Sequence, residues 1–438
     1  MRWCFNIQVV AAVLYMEKPH LEKRIVVGGT DVIERSWLLE KAVGQPGDRS
    51  RCVHLKGLMT QDVAQDVLAE LKSRKYNTEP DSVDEMPTFE FYPMVNGEWA
   101  DPGLGKRLGA LVDAVVPLVR DSFSCSSCVA AEILVRRYVT GERRAHSLHF
   151  DGHAFATVVL GLTRPNEYDG GLYIQPQPNA RSRRFVFLEP GDLFLHSFNL
   201  QHGVRLFSGS RYSLVLWIKP AAAIALRSTP WYDAAAKKGD PDAFFNLAEQ
   251  YLQGTGGKTA DPDRALELYA AAAELGHPFA ANHLGLLLAE SDAEESMKWL
   301  QAAAGSGLAT AQKSLAFALA SAQALAPAAK WMRRAAEQDD LEAAYVLGTM
   351  YLHGQGVAPA PRLARAWVLH SALGGYGDAM WELARWKRPN RTFEEFWLQR
   401  AAVQQHALAA KSWAKVLQSK GLDREALLWW KRFAKLGR

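Results

Sequence analysis

Within Ser147-Leu148-His149-Phe150-Asp151, an imidazole and a carboxylate stand two residues apart. In an extended segment, residues two apart leave the same face, so His149 and Asp151 are offered side by side. One more imidazole completes a facial triad of two histidines and a carboxylate. Such a triad takes one side of an octahedral iron(II) and leaves the other positions open. His202 is the candidate third ligand. Arg211 and Ser213 are again two apart. A guanidinium holds a carboxylate through two parallel hydrogen bonds, and a hydroxyl adds a further donor. A dicarboxylate could then chelate the metal with its keto-acid end and rest its distal carboxylate on Arg211.

The elements around these residues read as short strands. The segments AEILVRRYV, HAFATVVLGL, GGLYIQP, RRFVFLEPGDLFLHS and RYSLVLWIKP are β-branched runs broken by Gly, Pro and Asn. Pro190-Gly191-Asp192 opens a strand from Leu193 to His196. A turn at Ser208 to Ser210 leads into a last strand, Arg211 to Ile218. It is expected to set His202 and Arg211 on the two arms of one hairpin facing one cavity. Upstream, a strand is expected near Ile7 to Tyr15 and a helix near Ser36 to Ala42. A helix capped by Thr60 runs to about Lys72, and another, Leu104 to Val119, is kinked or ended around Pro117.

Residues 50 to 220 resemble the prolyl-hydroxylase-like branch of the 2-oxoglutarate oxygenases. The matching elements are R-Y-x-x-G (Arg137, Tyr138, Gly141), H-x-D (His149, Asp151), Y-D-G-G-L from Tyr168, and P-G-D from Pro190. H-G-V from His202 follows, with R-Y-S-L from Arg211 nine residues on. The resemblance implies a double-stranded β-helix, or jelly roll, with flanking helices. It implies iron(II) held by His149, Asp151 and His202. It also implies 2-oxoglutarate as co-substrate, seated on Arg211 with Ser213 and the Tyr138 hydroxyl, and O₂ and ascorbate as further reagents. The implied reaction turns 2-oxoglutarate into succinate and CO₂ and hydroxylates a second substrate. Many relatives carry lysine where Arg211 stands. The Tyr138-to-His149 spacing is longer than usual, with Arg143, Arg144 and His146 in the gap.

His146, His153 and His196 lie near the candidate ligands and are read as non-ligands. His153 continues the His149 and Asp151 alternation, so it is placed to touch substrate or support a ligand. Arg181, Arg183 and Arg184 read as a solvated loop.

Beyond residue 226 the chain turns Ala-rich and helical in period, and ten of its 14 tryptophans lie past residue 230. A large residue is followed five positions later by alanine: Trp231 and Ala236, Leu268 and Ala273, Trp299 and Ala304, Trp331 and Ala336, Trp367 and Ala372, Trp397 and Ala402, Trp429 and Ala434. The steps are 37, 31, 32, 36, 30 and 32 residues, a period typical of helix-pair solenoids. A bulky aromatic on one helix needs a small residue where its neighbour crosses. Gly239, Gly276, Gly307, Gly375 and Gly437 sit three past their alanines, placed to end the second helix in a left-handed cap. Tyr251 to Gly256 and Tyr351 to Gly356 mark turns between paired helices. The pattern, best formed from Ala343 to Gly375, resembles the Sel-one-like subfamily of tetratricopeptide-type repeats. That resemblance implies an all-α solenoid that binds protein.

The chain thus divides into an N-terminal extension (1–49), an oxygenase domain (50–220) and repeats (228–438). The formal net charge of +4 over 438 residues gives no reason to expect a nucleic acid partner, and no run of about 20 apolar residues suggests a membrane helix. Four cysteines are too few for a disulfide scaffold and fit a reducing, cytoplasmic setting. Cys125 and Cys128 lack the second ligand pair a zinc site needs. The first residues, MRWCFNIQVVAAVLYMEK, read as a buried strand; as a signal peptide they would direct the chain to the secretory pathway. Two functions compete. One is a dioxygenase hydroxylating a side chain, prolyl by the resemblance, of a protein or peptide recruited by the repeats. The other is a repeat-based binding scaffold whose oxygenase domain is inactive or acts as a sensor.

Overall fold

The computed structural model describes residues 22–26, 32–42, 49–79, 81, 88–139, 142–386 and 391–436, with side chains from Cys52 onward. The strands are β1 (Glu22–Val26), β2 (Val32–Ala42), β3 (Arg49–Lys56), β4 (Glu90–Val95), β5 (Glu98–Trp99) and β6 (Cys128–Val139). They continue as β7 (Ala145–His149), β8 (Ala156–Gly161), β9 (Tyr168–Ile174), β10 (Arg184–Val186), β11 (Leu193–Ser197) and β12 (His202–Pro220). The helices α1 (Gln61–Lys72) and α2 (Pro102–Phe123) belong to this part of the chain.

The strands form an antiparallel sheet in the order β1-β2-β3-β11-β8-β12-β6-β4-β5. The 19-residue β12 ties a second group to it. Its first part, His202 to Gly209, pairs with β7 and β9, and β9 pairs with β10. Its second part, Ser210 to Pro220, pairs with β6 and β8. The expected hairpin between His202 and Arg211 is therefore absent. Ser208-Gly209-Ser210 is the passage of one strand from β9 to β6, marked by a register break at Leu206/Ser208 and a φ of 81° at Gly209. Gly and Ser that read as a turn here serve a bulge, which re-aims a strand without reversing it.

Period-two alternation on β12 explains both faces. Leu214, Leu216 and Ile218 are fully buried in a core with Leu68, Leu71, Leu104, Leu108, Val115 and Val119 of α1 and α2. Arg211, Ser213, Val215, Trp217 and Lys219 face the other way, into a cavity. α1 starts after Thr60 as expected, although the threonine side chain makes no cap hydrogen bond. α2 does not stop at Pro117 but continues to Phe123. Pro117 and Asp113, whose carbonyl loses its partner, lie on the exposed face, while Val115, Val116, Leu118 and Val119 stay in the core. The expected helix at Ser36 to Ala42 is instead part of β2, paired with β3; sheet pairing overrides the helix-forming composition. The strand expected near Ile7 to Tyr15 lies outside the described residues. Cys125 and Cys128 are joined as a disulfide, and Cys52, which takes no part in it, is buried.

Helices α3 (Ala221–Leu226) and α4 (Pro230–Ala236) lead into a solenoid. Its helices are α5 (Pro241–Gln253), α6 (Pro262–Glu274), α7 (Pro278–Leu287), α8 (Ala293–Gly305), α9 (Ala309–Ser321) and α10 (Leu325–Ala336). They continue as α11 (Leu341–His353), α12 (Pro361–Gly374), α13 (Gly377–Arg385), α14 (Arg391–Val403), α15 (Ala407–Ser419) and α16 (Asp423–Leu436). Ala273, Ala304, Ala336, Ala372 and Ala402 are almost fully buried, as close helix crossings require. Gly239, Gly276, Gly307 and Gly375 have φ values of 80°, 85°, 98° and 116°; Gly437 lies outside the described residues. Where the glycine is missing, Asp339 and Gln405 hold the same left-handed position, with φ of 65° and 61°. No helix among the described residues is long and apolar enough to cross a membrane.

Those two exceptions mark where the solenoid meets the sheet. Asp339 pairs with Arg205 of β12 at 3.7 Å, and Gln405 donates to the Thr78 carbonyl at 3.2 Å. Their neighbours Gln338 and Gln404 bond the Ala180 amide and the Glu142 carbonyl at 2.8 and 3.1 Å. The cap loops of the repeats thus form the docking edge.

Candidate metal centre

His149 ends β7 and His202 begins β12, and the two are direct partners across that strand pair. Their ring centroids are 4.4 Å apart. Each imidazole is turned by a backbone carbonyl: His149 Nδ1 lies 2.7 Å from the Ser147 oxygen, and His202 Nδ1 lies 3.1 Å from the Leu200 oxygen. Nδ1 then carries the proton, and Nε2 is left as the lone-pair atom. Both Nε2 atoms face Asp151, His149 at 3.5 Å from Oδ1 and His202 at 3.5 Å from Oδ2. One ligand-type atom from each residue falls within a 4.8 Å cluster. The donor set, the spacing and the burial fit a divalent metal of the iron(II) type.

Asp151 is 5% exposed. Burial alone would raise its pKa, but His202, the His149 hydrogen bond and His196 hold it well below the usual carboxylate range. Burial, reinforced by His196, drops His202 to about 3. An ionised carboxylate and a neutral imidazole are the forms a metal requires.

Four residues not singled out as ligands lie around the triad. Thr157 Oγ1 donates to Asp151 Oδ2 at 2.5 Å. His196 is fully buried, and its Nε2, 3.8 Å from the same oxygen, has no hydrogen-bond partner among the described residues. His146 packs on His149 at 4.0 Å between centroids and faces Asp81 and Arg136. Burial, with help from His149, holds it well below the ordinary histidine range. His153 stands against the Trp217 ring at 4.0 Å between centroids. Thr157 gave no signal in the sequence beyond its place on a strand; its role depends on a fold contact with Asp151.

The same cavity, of about 1330 Å³, contains Arg211, Ser213 and Tyr138. Arg211 is 4% exposed and donates to the Ser213 hydroxyl. Tyr138 is its direct partner on β6, so the longer Tyr138-to-His149 spacing leaves the tyrosine beside the guanidinium. Arg183 of the basic loop stacks on Tyr173 at 4.2 Å, while Arg181 and Arg184 are exposed.

One wall of the cavity belongs to the solenoid, including Phe245, Glu249, Phe279, Lys313 and Tyr376. Phe150, between the two H-x-D ligands, packs against Phe245, His277 and Phe279 at 6.2, 6.2 and 6.4 Å between centroids. Gln250 donates to the Gly152 carbonyl at 3.4 Å. The segment carrying His149 and Asp151 is thus braced from the repeat side.

Residues 241–277, 280–308, 328–340 and 341–376 match the Sel1 repeat family, and the C-terminal region carries Sel1 repeats. The chain is similar to chitin synthase regulatory factor 3 of Schizosaccharomyces pombe, 30% identical over 165 residues; the match spans 34% of this chain and only 18% of that protein. Among solved structures, a Sel1 repeat protein from Oxalobacter formigenes aligns at 24% identity and a TM-score of 0.44, over 49% of this chain and 95% of that one. A Pseudomonas putida prolyl-4-hydroxylase aligns at 17% identity and a TM-score of 0.30, over 38% of this chain and 91% of that one.

Proposed function

We propose that this chain is an iron(II)- and 2-oxoglutarate-dependent dioxygenase that hydroxylates a side chain, prolyl by the family resemblance, of a protein held by its repeats. The carrying observation is one cavity that contains the His149, Asp151 and His202 cluster and a buried arginine with no carboxylate partner among the described residues. The strand pairing supports a double-stranded β-helix: β6-β12-β8-β11 on one side, β7-β12-β9-β10 on the other, joined through β12. The oxygenase part is taken as residues 50–220 and the repeats as 228–438.

In this reading, His149, Asp151 and His202 hold iron(II). The bound metal supplies the oxidising chemistry: 2-oxoglutarate, O₂ and a C–H group give succinate, CO₂ and a C–OH group. The chain's own residues prepare that reaction. Thr157 fixes one oxygen of Asp151, and the Ser147 and Leu200 carbonyls fix the imidazole tautomers. Arg211 receives the distal carboxylate of 2-oxoglutarate, with Ser213 and Tyr138 beside it. Val159, Leu172, Val204 and Val215 line the same space and supply its apolar surface. The repeats form the opposite wall, which suits a macromolecular substrate better than a free metabolite.

The test is mass spectrometry of proteins captured by the Asp151→Ala variant and then treated with the wild-type protein, iron(II) and 2-oxoglutarate. A site that gains one oxygen only with the wild type supports the reading. Captured proteins that never gain oxygen would leave the repeats as a binding scaffold.

A further inference from the structure

Charges on the cavity wall are largely neutralised in place. On the repeat side, Lys313 pairs with Asp340 and Glu342 at 3.0 and 2.8 Å, and Glu249 with His283 at 3.1 Å. On the sheet side, Arg136 pairs with Asp81 at 3.0 Å. Two buried cations differ. Arg211 is 4% exposed and Lys219 8% exposed, and neither has an ion pair with a described residue. A buried, unpaired cation is costly to keep, so its persistence at a cavity wall points to an anion that arrives from outside.

Arg211 and Lys219 lie on one strand face, at opposite ends of the row that runs through Ser213, Val215 and Trp217. The proposed co-substrate accounts for Arg211 and leaves Lys219 unexplained. Thr157, which donates to Asp151, is the cross-strand partner of Trp217. Lys219 is two residues further, about 7 Å along the strand. It is therefore close to the metal cluster on the side away from Arg211. Arg227 also lines this end of the cavity and adds positive charge. Glu132, the partner of Trp217 on β6, lines it too and attracts the ammonium without forming an ion pair with it.

We infer that Lys219 receives a carboxylate of the substrate, so that the hydroxylated segment is an acidic peptide. Its carboxylate lies within about 10 Å of the oxidised carbon, a span of two to three extended residues. This rests on the oxygenase reading for the position of the oxidised carbon. The carboxylate has two possible sources, an Asp or Glu side chain near the target or a chain terminus.

The probe is an array of proline-centred peptides with Asp, Asn or Lys at each flanking position, each made with a free and an amidated C-terminus. Binding is measured to the full-length, manganese-loaded protein in the presence of 2-oxoglutarate. The wild type should favour an acidic member over its Asn counterpart about tenfold, the size of one charge-assisted contact. Preference set by the flanking Asp identifies a side-chain source; preference lost on amidation identifies a terminus. Lys219→Glu should reverse the preference toward Lys peptides, and Lys219→Arg should keep it. Equal binding of Asp and Asn peptides by the wild type overturns the inference, as does an unchanged preference in Lys219→Glu. Succinate output of the wild type is measured alongside. An acidic preference without succinate keeps the Lys219 site and sinks the oxygenase reading.

Discussion

Tyr138 and Arg211 are direct partners across β6 and β12, and both side chains line the cavity that holds the His149, Asp151 and His202 cluster. The register places a phenol next to a buried guanidinium that no carboxylate of the described residues neutralises. On the proposed reading, Arg211 is the seat for a dicarboxylate. Arg211→Met should raise the KM for 2-oxoglutarate about 10- to 100-fold, the loss of a charge-assisted pair of hydrogen bonds. Tyr138→Phe should raise it severalfold at most. Steady-state succinate production at varied 2-oxoglutarate reads both, and an unchanged KM in Arg211→Met would remove the assignment.

Thr157 holds the Asp151 carboxylate through a 2.5 Å hydrogen bond. Thr157→Val keeps the shape and loses that bond. Metal affinity should fall about 10- to 100-fold, as for other groups that orient a ligand. Titration of the protein with cobalt(II), followed by its visible absorption, gives the comparison. Equal affinities would mean that the threonine does not set the carboxylate.

The repeats brace the metal segment as well as walling the cavity. Phe150 rests on Phe245, His277 and Phe279, and Gln250 holds the Gly152 carbonyl. Removing residues 228–438 should therefore weaken metal binding itself. Phe150→Ala should cost about 2 kcal/mol, roughly half the value for a fully buried phenylalanine, and should lower metal affinity with it. A truncated chain that folds and binds metal like the full chain would confine the repeats to recruitment.

Asp339 joins the solenoid to β12 through Arg205 and to His370 at 3.3 Å. Burial would raise its pKa, but the His370 hydrogen bond and Arg205 lower it to about 2 from 3.8. A depressed carboxylate pKa contributes stability that is present above the unfolded value and lost as pH falls through the folded one. The Asp339→Asn variant should melt earlier than the wild type at neutral pH, and the gap should close between about pH 4 and pH 2. A gap that is constant with pH would rule out this ion pair as its source.

Much of this arrangement is legible in residue order because it is local. The two-residue spacing of His149 and Asp151 brings them together although β7 ends at His149, and Ala304, Ala336 and Ala402 recur where helices cross closely. The glycine caps follow from φ alone. What could not be read depends on partners far along the chain. Ser208-Gly209-Ser210 has turn composition, and only pairing with β9 and then β6 makes it a strand passage. Pro117 breaks a helix in isolation, but here the carbonyl it leaves unpaired faces solvent while its neighbours are packed. Thr157 and Gln250 reach the metal segment, and Phe150 reaches the repeats, through tertiary contacts alone. Asp339 and Gln405 keep the left-handed cap without glycine because their side chains meet the sheet domain.

The proposed iron site should turn over 2-oxoglutarate. That turnover is tested most directly by loading the full-length protein with iron(II) without oxygen, adding 2-oxoglutarate, admitting air and measuring succinate. The wild type should bind iron and form succinate even without a second substrate, and Asp151→Ala should do neither. A wild type that binds no iron, or forms no more succinate than Asp151→Ala, would contradict the account.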